Sequence, residues 1–254
     1  MRLATFNLLH GRTPADGAVH ADRLHDAVAG LDADVLALQE VDLDQPRSGG
    51  VDQTALAATA LGARHARFLP AVVGTPGVAW RPVRPDDVPG ADPTYGIGLV
   101  SRHPVAAWRA VPLGTSPAVL PLLVDARRPA LVRDEPRVAL AAVLEAPAPV
   151  GTVVATHLSF APGFNLLQLA RLARAVRDLP GPVVVLGDLN MPGPLAGAVM
   201  RGWHPLVRTP TFPTERPRIQ FDHVLASAPL PVADARAVAT GVSDHRAVVV
   251  ELAR

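Results

Sequence analysis

The stretch Val183-Val184-Val185-Leu186-Gly187-Asp188-Leu189-Asn190 is a run of β-branched and leucine residues entered through Gly181-Pro182 and closed by a glycine. It predicts a buried strand that stops at Gly187. Asp188 and Asn190 then stand just past the carboxyl end, and the breaker run Pro192-Gly193-Pro194 follows. Two polar residues one position apart at such an end either project into a crevice or hydrogen-bond their own backbone in a turn. This stretch alone leaves both open, and the other strand ends decide.

Upstream, Arg2 to Asn7 reads as a first strand with Asn7 at its end. Asp22 to Leu31 places Leu24, Ala27, Val28 and Leu31 on one helical face and runs into Val35-Leu36-Ala37-Leu38-Gln39-Glu40, a strand that leaves Glu40 at its exit. Glu40 alone is an ordinary solvated cap; beside Asn7 and Asp188 it is the hard oxygen donor that Mg²⁺ requires. Residues 52 to 61 predict a helix stopped by Gly62, and Arg64 to Leu69 a strand. From Ala71 to Thr94, prolines, glycines and Trp80, Arg81 and Arg84 interrupt any period, which predicts a long irregular excursion. Tyr95 to Arg102 resumes strand character, and Val111 to Pro136 is again irregular, with Arg127, Arg128 and Arg133 forming either a solvated surface or a basic lip for an anionic substrate.

Arg137 to Leu144 and Thr152 to Thr156 read as neighbouring strands, the second leading into His157, and Asn165 to Leu179 as an amphipathic helix. After the central strand come a short helix, Leu195 to Met200, then a strand Ile219 to Leu225 that contains Asp222, and Ser243-Asp244-His245-Arg246 opening a last strand, Ala247 to Leu252. An aspartate inside a strand is costly to bury unless paired, and His245 is the candidate partner for Asp222.

Composition narrows the class. The 254 residues are 49% hydrophobic, enough for a large core, and nothing resembles a linker, so a single domain over 1–254 is expected. The formal charge is +1 and all 24 basic residues are arginine, a balance that gives no general attraction to polyanions. The absence of cysteine excludes disulfides, thiolate metal sites and cysteine nucleophiles. No apolar run approaches the ~20 residues of a membrane span, and Met1 leads into a strand without a signal-peptide core, so a cytoplasmic protein without stable membrane insertion is expected.

The motifs TFNLL, LALQE, YGIGLVSRHPV, THLSF, GDLN, FDHVL and SDHRAV follow one another across residues 5 to 248. Together they resemble the endonuclease/exonuclease/phosphatase superfamily, the DNase I-like metal-dependent phosphoesterases. The resemblance implies a four-layer α/β sandwich, two mixed sheets packed together with helices outside and a site where strand ends meet. It implies Mg²⁺ or Mn²⁺ held by Glu40, with Asp244 as a second acidic contributor and Asn7 fixing the metal or phosphate geometry. Asp188 resembles the group that orients and activates water, and Asn190 a donor to a phosphate oxygen. His157 and His245 resemble the pair that hydrogen-bonds the phosphate, Asp222 the partner that keeps His245 protonated, and Tyr95 a further hydroxyl donor. Which group is general base and which general acid stays open.

Two departures stand out. Many relatives carry Asn where this chain has Ile97, and in some nucleases a Glu partners the first histidine, for which Asp92 is the available substitute here. The expectation is therefore a monomeric divalent-metal-dependent phosphodiesterase or phosphatase. The alternatives are a nuclease on DNA or RNA, a lipid-phosphate phosphodiesterase, and a non-catalytic phosphate-binding scaffold. A near-neutral chain with 4% aromatic residues places the nuclease second.

Overall fold

The structure, a computed structural model, describes residues 1–88, 90–124 and 128–253. In chain order the elements are β1 (Arg2–Asn7), α1 (Ala21–Leu31), β2 (Val35–Leu43), α2 (Gln53–Leu61), β3 (His65–Thr75), β4 (Ala79–Pro82), β5 (Thr94–Ser101) and β6 (Val105–Gly114). There follow β7 (Val119–Val124), β8 (Arg128–Arg133), β9 (Arg137–Leu144), β10 (Thr152–His157), α3 (Phe164–Ala175), β11 (Val183–Asp188), α4 (Leu195–Val199), β12 (His204–Pro205), β13 (Asp222–Ala226), β14 (Val232–Val238) and β15 (Ala247–Leu252). One sheet has seven strands in the order β14-β15-β1-β2-β5-β3-β4, a second has six in the order β12-β13-β11-β10-β9-β6, and β7 and β8 pair only with each other. Both large sheets are mixed: β1–β2 and β10–β11 are parallel, and their neighbours antiparallel.

The side-chain period of two builds the layers. Along β2, Val35 and Ala37 join Leu140, Val153 and Leu186 of the second sheet in a central core, while Leu36 and Leu38 pack outward against Leu24 and Val28 of α1. Along β11, Val184 and Leu186 face that central core, whereas Val183 and Val185 pack against Leu169 and Leu172 of α3. Four layers result: helices, sheet, sheet, helices. The continuous apolar run 183–186 is thus explained by burial on both faces.

Three stretches differ from the sequence reading. The first half of the excursion at 71–94 is a hairpin, since β3 extends to Thr75 and β4 (to Pro82) pairs back on it from Val72 to Thr75, while the described residues between β4 and β5 are irregular as read. The stretch 111–136 holds the end of β6 and the β7–β8 hairpin. Asp222 opens β13 instead of lying inside a strand that starts at 219. Of the arginines considered as a basic lip, Arg127 and the side chain of Arg128 lie outside the described residues, and the Arg133 guanidinium stacks on Trp80 at 5.2 Å. No helix among the described residues is long and apolar enough to cross a membrane.

Candidate active site

Ladder register in the second sheet puts His157 of β10 beside Asp188 of β11, and Asp188 beside Asp222 of β13, on one rung. The strand before Asp188 needs its glycine: a Cβ on Gly187 would run into the Thr156 carbonyl of β10. On the facing sheet β1 ends at Asn7, paired with Gln39, and β2 bulges immediately afterwards, two of its residues falling between partners of β5. Glu40 sits in that bulge at φ +54°, left-handed backbone that costs energy for a residue with a Cβ and re-aims its side chain.

Asn7 joins the two sheets. Its Nδ2 donates to Glu40 Oε1 and to Asp188 Oδ2, each at 3.0 Å, and its Oδ1 accepts from Leu9 N. Both amide protons lie on carboxylates, so Asn7 sets their spacing. Asp188, 2% exposed, also accepts from Asn190 N at 2.8 Å and lies 3.6 Å from His157 Nε2 and 3.8 Å from His245 Nε2. Burial, with the nearby Asp222 charge against the pull of His245, raises its pKa to about 6.

His245 reaches the same place from the loop before β15, and its Nδ1 donates to Asp222 Oδ2 at 2.9 Å. Burial works against the imidazolium, but the charge and hydrogen bond of Asp222 prevail and lift its pKa to about 10. Phe212 packs against the ring at a tilt of 47°, with centroids 4.9 Å apart. His157 goes the other way: burial, then the charges of Arg137 and His245, push its pKa well below the ordinary value. The two histidines of the resemblance are thus one cation and one neutral ring.

Asn190 explains the neutral ring's tautomer. Its Nδ2 donates to the Leu158 carbonyl at 3.0 Å, which fixes the amide orientation, so the 3.1 Å contact to His157 Nε2 is a second donation and the imidazole proton sits on Nδ1. Asn190, expected to donate to a phosphate oxygen, has both amide protons on protein acceptors in this structure and orients His157. Its φ of +49° is held by Asn165, whose Nδ2 donates to the Asn190 carbonyl.

Tyr95 is 6% exposed, with the Arg47 guanidinium 5.5 Å above its ring. Burial, then the charges of Glu40 and Glu135, keep its pKa well above the usual phenol value. Among the described residues its hydroxyl has no protein partner. Asp244 is half-buried, and its carboxylate likewise has none. Burial, and next the Asp244 charge, raise the Glu40 pKa to about 7. Ile97 points into the core between the sheets at 2% exposure, so the position that carries Asn in many relatives is apolar packing here. Asp92 does not partner His157: it lines a pocket with Leu43, Phe68 and Val88, and its charge falls on Arg81.

Residues that the sequence reading passed over complete the surroundings: Arg47, Asn165, Phe212, and Arg137, 5% exposed and bonded to Asp134 at 3.0 Å. An arginine opening an apolar strand, as Arg137 does, was the one available signal.

The chain belongs to the Endonuclease/Exonuclease/phosphatase family, whose family model matches residues 4–245. Members of that family hydrolyse phosphate esters. The protein is similar to an endonuclease/exonuclease/phosphatase from Beutenbergia cavernae at 26% identity and a TM-score of 0.69, over 99% of this chain and 71% of that one. The fold is also that of the human nocturnin catalytic domain (18% identity, TM-score 0.64, 100% and 94% of the chains). It is shared as well with a mannosyl-6-phosphatase of Bacteroides thetaiotaomicron (14%, 0.62, 100% of both). A search of the curated proteins found no match.

Proposed function

We propose that the protein is a divalent-metal-dependent phosphodiesterase or phosphatase acting on small phosphate esters. The observation that carries this reading is the rung His157–Asp188–Asp222 with His245 closing it, joined through Asn7 to Glu40 on the other sheet. It supplies an acidic group near neutrality, a fixed cation and a second acidic cluster within one amide's reach.

Two groupings offer a cation site. Asp188, Asp222 and His245 each place a ligand atom within 4.8 Å of the others. There, however, His245 Nδ1–H is already bonded to Asp222, and a metal bound by that nitrogen would have to displace its proton. Glu40 and Asp244 fit better: two like charges press on each other, neither bonds to a basic side chain among the described residues, and both offer hard oxygen donors suited to Mg²⁺ or Mn²⁺. When bound, the metal supplies positive charge against the phosphoryl oxygens.

In this reading Asp188, with a pKa of about 6, is ionised at neutral pH and takes a proton from the attacking water. His245, held protonated by Asp222, donates through Nε2 to the phosphate as negative charge builds. His157 offers Nδ1–H, and Tyr95 its hydroxyl. The test is hydrolysis of bis-4-nitrophenyl phosphate, 4-nitrophenyl phosphate and plasmid DNA, each with Mg²⁺, Mn²⁺ or EDTA. Turnover of a small ester that EDTA abolishes is expected; equal rates with metal and with EDTA would sink the proposal.

A further inference from the structure

Beside the site lies a second polar cluster that the chemistry above does not use. Its centre is Arg47, in the turn Pro46–Ser48 after β2. Nε and Nη2 donate to the two oxygens of fully buried Asp42 at 2.9 and 2.8 Å, and Nη1 donates to the Pro76 carbonyl at 3.3 Å. Three of its five N–H groups are thereby taken, which leaves one on each terminal nitrogen. The side chain stays 24% exposed and lies over Tyr95, which lines a small pocket together with His157.

The turn is rigid. Gln45, fully buried, donates to the Gly74 carbonyl at 2.7 Å and accepts from Thr75 Oγ1 at 2.6 Å. Gln53, 1% exposed, accepts from Asp42 N at 2.9 Å and donates to the His10 carbonyl at 2.7 Å, tying Arg47's anchor to the loop that follows Asn7. In that loop Leu9 and His10 have φ of +45° and +47°, strain of the kind that gathers at ligand-binding segments. Burial, then the charges of Arg47 and Arg12, lower the His10 pKa to about 3 and keep that ring neutral.

We propose that Arg47, at this fixed corner beside Tyr95, binds a second anionic group of the substrate, a carboxylate or another phosphate, a few bonds from the phosphate that is attacked. A bare ion pair with Asp42 would not need a part-exposed guanidinium; a preorganised one with two donors left over is suited to bind an oxyanion at a reduced entropy cost. The inference rests on the phosphate-ester reading of the neighbouring site.

The test compares 3-phosphoglycerate with glycerol 3-phosphate, which share a carbon skeleton and differ by a carboxylate in place of a hydroxymethyl group. Each is titrated calorimetrically, with Mg²⁺, into Asp188→Asn protein to suppress turnover, and assayed as a competitor of bis-4-nitrophenyl phosphate with the unsubstituted protein. Arg47→Gln alone strands the buried Asp42 charge, so Asp42→Asn/Arg47→Gln is made beside it, with Arg47→Lys as the conservative variant. About tenfold tighter binding of 3-phosphoglycerate is expected, lost in the double variant and partly kept by lysine. Equal affinities in the starting protein, or a preference that survives the double variant, overturn the subsite; a structural Arg47 would weaken both ligands alike. Absence of metal-dependent turnover of any ester would instead strike the hydrolase reading, while the affinity ratio still decides the subsite.

Discussion

Asp188 and Glu40 hang from the same amide of Asn7, and their surroundings set them different tasks. Replacing Asp188 by Asn keeps its shape and its acceptor for Asn190 N but removes the basic oxygen. We expect kcat for a small ester to fall by about 10³-fold or more with an unchanged circular dichroism spectrum; a rate within tenfold of the starting protein would take Asp188 out of the chemistry. For Glu40 the argument concerns stability. Its folded pKa, about 7, lies above the ordinary carboxylate value, so the metal-free fold prefers the protonated form. That preference is fully satisfied below the unfolded value and becomes a cost as pH rises through about 7. Because Glu40 keeps some contact with water, we take the cost at pH 8 as about 1–2 kcal/mol, less than the full shift would give. Metal-free Glu40→Gln is therefore expected to melt several degrees higher than the starting protein at pH 8, the two converging near pH 4.5, and Mg²⁺ is expected to stabilise only the protein with Glu40. Melting curves with EDTA and with Mg²⁺ check both, and a variant less stable at pH 8 would contradict the assignment. The carboxylates and histidines were legible in the sequence because each borders an apolar run, at its end or at its start. Arg47, Asn165 and Phe212 were not, because their meaning comes only from partners brought by the fold: Asp42 and Tyr95, the Asn190 carbonyl, and the His245 ring.

Among the elements, the parallel pair β10–β11 does most to place the site, since His157 and Asp188 are register partners at its end. Gly187 lets the strands approach where any Cβ would meet the Thr156 carbonyl. Gly187→Ala should cost about 2–4 kcal/mol in urea unfolding and lower kcat as well, because the strand that carries Asp188 must move away from His157. A stable, fully active alanine variant would mean that the two strand ends are not held in this register. The same pair was the easiest element to read, burial on both faces making Val183–Leu186 continuously apolar. The hairpins were hard for the opposite reason. β3–β4 and β7–β8 carry Pro70, Pro82, Pro121 and Pro129 within their strands, and proline at interior strand positions argues against a strand. These prolines are tolerated because β4 is a sheet edge and β7 and β8 have only each other, while Pro70 adjoins the bulge where β3 shifts register on β5. The bulge at Glu40 left no mark on the period of β2, since Gln39 and Val41 both remain buried around it.

At the scale of the whole molecule, substrate choice turns on charge. The sandwich brings Asn7, Glu40 and Tyr95 from one sheet against His157, Asp188 and Asp222 from the other, so the site lies at the seam where two layers meet. Over the surface some arginines are matched with carboxylates: Arg2 and Arg102 with Asp32, Arg23 with Asp16, Arg81 with Asp87, Arg109 with Asp178. A chain with net charge +1, part of whose surface cations are paired in this way, has little net charge to exchange for the counterions of a duplex. Salt then separates the readings. Nucleic acid held through 6–10 phosphate contacts would lose about 10³- to 10⁵-fold in affinity between 50 and 200 mM salt. A small ester bound by a few charged groups inside a seam is screened far less, and we expect its kcat/KM to change by less than about threefold over the same range. The expected result is therefore a nearly flat salt profile for bis-4-nitrophenyl phosphate together with weak plasmid binding at every salt concentration. A steep profile for plasmid with efficient cleavage at low salt would reverse the order of the two substrates. The strand-end groups would keep their roles, and attention would move to which arginines leave their surface carboxylates when nucleic acid binds.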